Sequence, residues 1–196
     1  MAPRNKLLIR DQAGQTMIGR VVGAALGSQA ADIVVVTGHQ ADEVEQAVLQ
    51  TPGGSGRVRF VRSPDVAQGL SASVKAGIAA LDGAAAALIC LGDMPLVGPA
   101  MIDALIAAYD PARGKTIIVP TCRGEPGNPI LWGSDMFAEF ATLSGDSGAR
   151  GLLARHRSRS AEVELGTTAI LRDFDTPQSL DEPFACPEGD SKHGLF

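Results

Sequence analysis

The feature that most constrains this chain is a repeated change of hydrophobic period along its first half. Residues 17–26 (MIGRVVGAAL) set Met17, Ile18, Val21, Val22 and Ala25 at helical spacing, behind Thr16, a residue type that caps helix starts. DIVVVTG, residues 32–38, is then a short β-branched run closed by Gly38, the pattern of a strand buried on both faces. Helical spacing returns over ADEVEQAVLQ (41–50), and TPGGSG breaks it. RVRFVRS (57–63) predicts a second strand, SASVKAGIAAL (71–81) a helix, AAALICL (85–91) a third strand and PAMIDALIAAY (99–109) a helix. Strands separated by helices are joined by crossovers rather than hairpins, so the pattern predicts a doubly wound α/β fold with helices on both faces of a mostly parallel sheet.

After Tyr109 the rhythm changes. KTIIVPT (115–121) predicts a strand, and RGEPGNPILW (123–132) a turn-rich connection into an extended segment. FAEFATL and GARGLLARH (148–156) read as helices, AEVEL (161–165) and AILRDFD (169–175) as strands, and this half is expected to add an antiparallel edge. EPFACPEGDSKHGLF carries no periodicity, so one domain is expected over 1–180 and a flexible tail over 181–196.

Composition excludes several classes. With 196 residues, 45% of them hydrophobic, the chain can bury a sizeable core within one domain. A net charge of -5 gives no overall attraction for a polyanion, so no nucleic-acid partner is expected. Cys90, Cys122 and Cys186 are far apart without a CxxC spacing, which argues against a disulfide framework or a thiolate zinc site. No apolar run approaches the roughly 18 residues of a membrane span and no secretory h-region is present, so no membrane association is expected and the cytoplasm is the simplest location.

LICLGDMPLV, residues 88–97, puts Asp93 just beyond an apolar strand. Ligands of open α/β sheets bind outside the carboxyl ends of strands, although an acid there can also cap the next helix. That helix is expected to start nearer Pro99, which suits a first helical position. Hard cations such as Mg²⁺ are held by one or two carboxylates plus substrate phosphates, so a partner acid is sought elsewhere. RDFDTP (172–177) offers Asp173 and Asp175, two apart and on one face of an extended segment; the alternative is a solvated strand end. In GLSASVKAG (69–77), Gly69 permits close backbone approach and Ser71 and Ser73 stand at a helix start, where anions or an ordinary serine cap are both served. Lys6 of NKLL precedes two leucines, and RGEPGNP (123–129) holds two Gly and two Pro, either a binding loop or a plain hairpin turn.

NKLL, IVVVTGH, GLSASVKAG, LGDMPLV, GNPILW, GDSGARGLL (145–153) and DFDTP follow one another in an order that resembles the MobA-like nucleotidyltransferases, and among these the molybdenum cofactor cytidylyltransferases. The resemblance covers about Asn5 to Leu180. It implies a Rossmann-like three-layer αβα sandwich that binds a nucleoside triphosphate, CTP in the nearest group, with Mg²⁺. The phosphate of molybdopterin would attack the α-phosphate and release pyrophosphate, with a molybdoenzyme or its chaperone as downstream partner. Carried over by motif, Asp93 would be a catalytic metal ligand, Asp173 or Asp175 the second, and Lys6 a catalytic, phosphate-binding cation. Gly69, Ser71 and Ser73 would line the nucleotide site, and Arg123, Gly127 and Asn128 the acceptor substrate. Members of the family open with a strand and a glycine-rich LAAGxSxRMG loop, whereas this sequence opens with MAPRNKLL. Either the start lies further upstream or the chain is shortened; only if that strand is absent is a gap or a rearranged sheet expected beside the strand that carries Asp93. The alternatives are a related transferase using GTP or another phosphorylated acceptor, and a noncatalytic homologue impaired by the absent loop.

Overall fold

A computed structural model describes residues 5–63, 69–143 and 149–174. Asp175 and the expected tail at 181–196 lie outside the described residues. Helix α1 (Met17–Leu26) starts where the sequence places it: the Thr16 hydroxyl accepts the Gly19 N–H at 3.1 Å. Met17, Ile18, Val21 and Val22 of α1 are buried. Strand β1 (Ile33–Thr37), helix α2 (Ala41–Leu49), strand β2 (Val58–Arg62), helix α4 (Leu70–Ala79), strand β3 (Ala86–Ile89) and helix α5 (Pro99–Ala107) follow in the expected alternation. Between α2 and β2, the segment read as a break winds into one short helical turn, α3 (Gly54–Arg57). Gly54 sits there so close to Val48 that a Cβ would stand 2.3 Å from its carbonyl oxygen, so the turn is folded tightly back on α2.

The second half contributes β4 (Ile117–Cys122), the two-residue β5 (Glu125–Pro126), β6 (Ile130–Gly133), the short helices α6 (Phe137–Phe140) and α7 (Arg150–Arg155), and β7 (Ser160–Glu164). Every residue of β4 is buried, which makes it the spine of the larger sheet. β6 pairs antiparallel with both β3 and β4, and β7 pairs parallel with β4. β3, β4 and β7 therefore point the same way, with β6 reversed between β3 and β4, while β5 adds a brief antiparallel pair at the end of β4. An antiparallel contribution from this half was expected; its place inside the sheet follows from the β4–β5–β6 chain reversal, which returns β6 along β4. Under this sheet Trp132 meets Phe140 edge-to-face, with ring centroids 5.3 Å apart, in a cluster with Ile117, Val119, Met136 and Leu152.

AILRDFD does not form the strand expected over 169–175. Residues 168–171 wind into a 3-10 turn, started by the Thr167 hydroxyl on the Ala169 N–H, and the Ile170 carbonyl accepts the Asn128 N–H. Buried Ala169 and Ile170 thus serve a loop contact instead of a ladder.

Among the described residues the strands fall into two sheets. β1 and β2 pair parallel as a two-stranded sheet of their own, and β3 pairs with β6 alone. Among the described residues no helix is long and apolar enough to cross a membrane.

Candidate active site

The residues that carry most of the sequence argument meet beyond the carboxyl end of β3. Lys6 stands in a 3-10 turn (Lys6–Leu8) begun by the Asn5 side chain, which accepts the Leu7 N–H at 3.1 Å. The turn lies against LGDMP because residue 92 is glycine: a Cβ there would stand 3.2 Å from a Leu7 methyl and 3.4 Å from an Ile18 methyl. This close approach brings the Lys6 ammonium to 2.7 Å from Asp93 Oδ2.

Asp93 is not a helix cap. The N-cap of α5 is Gly98, without a side-chain bond, and Pro99 takes the first helical position. The Asp93 backbone is also engaged, its carbonyl accepting the Phe174 N–H at 3.1 Å. Phe174 is 1% exposed and lies under the Arg172 guanidinium, 5.3 Å from its ring centroid, so its burial pins Asp173 and Phe174 against LGDMP. Asp173 is exposed on that pinned segment. The two acidic motifs, some eighty residues apart in sequence, are thus joined by a backbone bond.

GLSASVKAG opens α4. Gly69, the N-cap, has φ 76°, a conformation that favours glycine, and Ser71 is buried while Ser73 is partly exposed. Gly77 of α4 lies level with Val36, and Arg59, which pairs with Val34, donates to the Ala80 carbonyl. α4 therefore runs antiparallel to β1, and its first turn overhangs the carboxyl end of the strands, on the side where Asp93 lies.

RGEPGNP divides into two parts. Arg123 (φ 53°) and Gly124 (φ 79°) form the tip of the β4–β5 hairpin. Glu164 of β7 holds that tip: its carboxylate accepts the N–H groups of Arg123, Gly124 and Gly166 and the Thr121 hydroxyl. These donors, Arg123 first, keep the Glu164 carboxyl below the usual range. Gly127 and Asn128 lie further on, against residue 170; a Cβ on Gly127 would stand 2.3 Å from the Ile170 carbonyl oxygen. The next residue, Pro129, lines a small apolar pocket with Cys90, Leu91 and Met94. The second part of the loop therefore reaches the floor of the Asp93 region, while the Arg123 tip is anchored to β7. Glu164 was missed in the sequence because a glutamate at the end of AEVEL gives no local sign of the backbone groups it will meet.

The donors present suit a hard cation: carboxylate oxygens at a strand end, one of them already facing an ammonium group. Among the described residues there is no group of three or more His, Cys, Asp or Glu that could hold a metal by itself. A cation here would accordingly need oxygens from a substrate.

A mostly parallel α/β layer with an acid at a strand's carboxyl end, a lysine upon it and a second acidic segment bonded to it defines a nucleotide-handling class of domain. The chain belongs to the MobA-like NTP transferase family, whose profile matches residues 1–161. It is 36% identical over 145 residues to the bifunctional protein GlmU of Acidovorax ebreus, a match covering 73% of this chain and 29% of that protein. It is 28% identical to the molybdenum cofactor cytidylyltransferase of Escherichia coli, over 76% of this chain and 71% of the relative. Among solved structures, Rv0371c of Mycobacterium tuberculosis in complex with manganese superposes with a TM-score of 0.64 at 26% identity, covering 84% of this chain and 82% of that one. The chain spans about a quarter of the length of the GlmU proteins it matches.

Proposed function

We propose that the protein transfers a nucleoside monophosphate, CMP from CTP, to the terminal phosphate of molybdopterin in the cytoplasm. The Lys6–Asp93 pair, with DFDTP bonded to the Asp93 backbone, is the observation that carries this reading. The similarity to a molybdenum cofactor cytidylyltransferase over most of both chains supports the acceptor, and the manganese complex of a structural relative supports a divalent cation.

In this reading a phosphate oxygen of molybdopterin forms a bond to the α-phosphorus of CTP while the bond to the bridging α–β oxygen breaks, and pyrophosphate carries the electron pair away. Asp93, with Asp173 or Asp175, would hold Mg²⁺, whose charge stabilises the phosphate oxygens in flight. Lys6 neutralises the triphosphate as a mobile point charge. Gly69, Ser71 and Ser73 present a helix start to the nucleotide, where free N–H groups and the helix dipole favour anions. Gly127 and Asn128 line the acceptor side, and Arg123 offers a cation at the loop's tip. A molybdoenzyme or its chaperone receives the product.

The test is pyrophosphate release from CTP and molybdopterin with Mg²⁺, read for the chain and for Asp93→Ala. Turnover in the variant is expected to fall by about 10²–10³-fold, the usual scale for removing one group that stabilises developing charge. Unchanged turnover at saturating Mg²⁺ would remove Asp93 from the metal site. GTP used as readily as CTP would favour the related transferase. The interrupted sheet supports a second reading, a homologue that binds nucleotide without turning it over; it predicts CTP binding with no pyrophosphate from any acceptor.

A further inference from the structure

The β4–β5 hairpin turns on two residues, Arg123 at φ 53° and Gly124 at φ 79°. Two successive positive φ values define the tight hairpin turn that favours Asn-Gly, Asp-Gly or Gly-Gly, because a Cβ in the left-handed region crowds the following carbonyl oxygen. Gly124 suits the second position, but a long side chain at the first is disfavoured. Among the described residues only Gln40 and Arg123 are non-glycine residues with positive φ. Backbone strain of this kind persists where the surroundings enforce it, and it gathers at binding sites.

Glu164 does the enforcing. Its Oε1 accepts the Arg123 N–H at 3.0 Å and the Gly166 N–H at 2.9 Å, while Oε2 accepts the Gly124 N–H at 3.3 Å and the Thr121 hydroxyl at 3.1 Å. The carboxylate therefore binds the turn by its backbone and leaves the guanidinium out. Among the described residues that guanidinium, on an exposed residue, has no hydrogen-bond or ion-pair partner, whereas Arg57 and Arg59 close on carbonyl oxygens and Arg62 on carboxylates. An ordinary surface turn needs no such arrangement, since asparagine or glycine at position 123 would make it without strain. Arginine there keeps five donors for a group outside the chain.

The sheet register says where that charge stands. Trp132 of β6 pairs with Ala87 of β3 on one side and Ile117 of β4 on the other, and Leu131 likewise pairs with Leu88 and Ile118. β3 and β4 therefore run in step on either side of β6, about 10 Å apart by two strand spacings. LGDMP follows the carboxyl end of β3 and the Arg123 tip follows that of β4, so both stand beyond the same edge of the sheet. The chain between them is continuous in function as well as in space, since Pro129 of the same loop lines a pocket with Cys90, Leu91 and Met94. A substrate with its phosphate at Asp93 can lie across the end of β6 and meet Arg123 with its other end. We propose that Glu164 is a positioning residue for the acceptor: it holds Arg123 by the backbone so that the free guanidinium binds the end of the acceptor remote from its phosphate, in molybdopterin the pterin carbonyl. This rests on the acceptor assigned above. The flat guanidinium fork suits a ring carbonyl, which accepts from its donors while the ring stacks on the plane. Glu164 itself touches no reacting atom and acts only through Arg123.

The test compares steady-state transfer from CTP to molybdopterin with Mg²⁺ in the full chain, in Glu164→Gln, in Arg123→Gly and in the double variant. Arg123→Gly removes the guanidinium and relieves the turn, so its denaturation midpoint is expected not to fall. Its KM for molybdopterin is expected to rise by about tenfold or more, the scale of a lost hydrogen bond to a charged group, while kcat and the KM for CTP keep their values. Glu164→Gln is expected to raise the same KM alone, and in the double variant the second change adds nothing to the first. A purely structural Glu164 gives a different pattern: Glu164→Gln loses stability, and Arg123→Gly leaves the KM for molybdopterin unchanged. That unchanged KM overturns the proposal. So does a Glu164→Gln effect that falls on kcat or on CTP, or one that adds in full to that of Arg123→Gly. If the unsubstituted chain neither binds nor modifies molybdopterin, the acceptor reading fails and this inference with it; turnover by that chain with no KM effect in the variants sinks this inference alone.

Discussion

Lys6 is 37% exposed and Asp93 20%, so the 2.7 Å contact between them is a partly solvated ion pair that contributes at most about 1 kcal/mol to stability. Lys6→Met is accordingly expected to leave the denaturation midpoint nearly unchanged while transfer falls by about tenfold or more; a large loss of stability with normal transfer would reverse that assignment. Gly127 is the opposite kind of residue. Its absent Cβ leaves room for the Ile170 carbonyl, so Gly127→Ala should cost on the order of 1–3 kcal/mol in urea denaturation, through displacement of the loop from residue 170. Glu164 gives a pH dependence whose sign is fixed by its partners. Its carboxyl is lowered in the folded protein, so its support of the hairpin tip is present above the unfolded carboxyl range and is lost as pH falls through the lowered value. Exchange of the Arg123 and Gly124 amides should quicken on acidification, and Glu164→Gln should weaken their protection already at neutral pH. At this scale Asp93 was marked by the apolar run it follows, whereas Lys6 and Asp173 were singled out through the NKLL and DFDTP motifs of the family resemblance. Glu164 could not be found in either way, because all of its partners but Gly166 lie about forty residues away in sequence.

At the scale of elements, period and capping together located the first half well. Thr16 caps α1 through the Gly19 N–H, Pro99 begins α5, and the β-branched runs form β1 and β2. Thr16→Ala is expected to lower stability by about 1 kcal/mol, the usual cost of losing such a cap, measured as a shift in the melting midpoint. The second half was legible as strands but not as order. β6 enters between β3 and β4, and no residue of GNPILW encodes that choice locally. AILRDFD failed as a strand for a related reason: its apolar residues are spent on burial and the Ile170 carbonyl on Asn128, so a strand-like composition produced a 3-10 turn. Local propensity was overridden by a tertiary hydrogen bond.

For the whole molecule, an apolar cluster of α1, α2 and β1 and another around Ile117, Trp132 and Phe140 are bridged by α4, which touches Val36 of β1 and packs Val74 and Ile78 on the second, while Ala25 of α1 packs on a third around Met94. That bridging holds Asn5, Lys6, Asp93 and Phe174 together over the carboxyl ends. How the helices span the two clusters was not legible in the sequence, since only the packed structure shows it. The account's central claim is that these groups form a cation-dependent nucleotide site, and calorimetric titration of the full chain with CTP tests it most directly. The account predicts binding that requires Mg²⁺, weakens with salt, and is lost in Asp93→Asn. Binding that is indifferent to Mg²⁺ and undiminished in that variant, or no binding of CTP or GTP at any Mg²⁺ concentration, would contradict it.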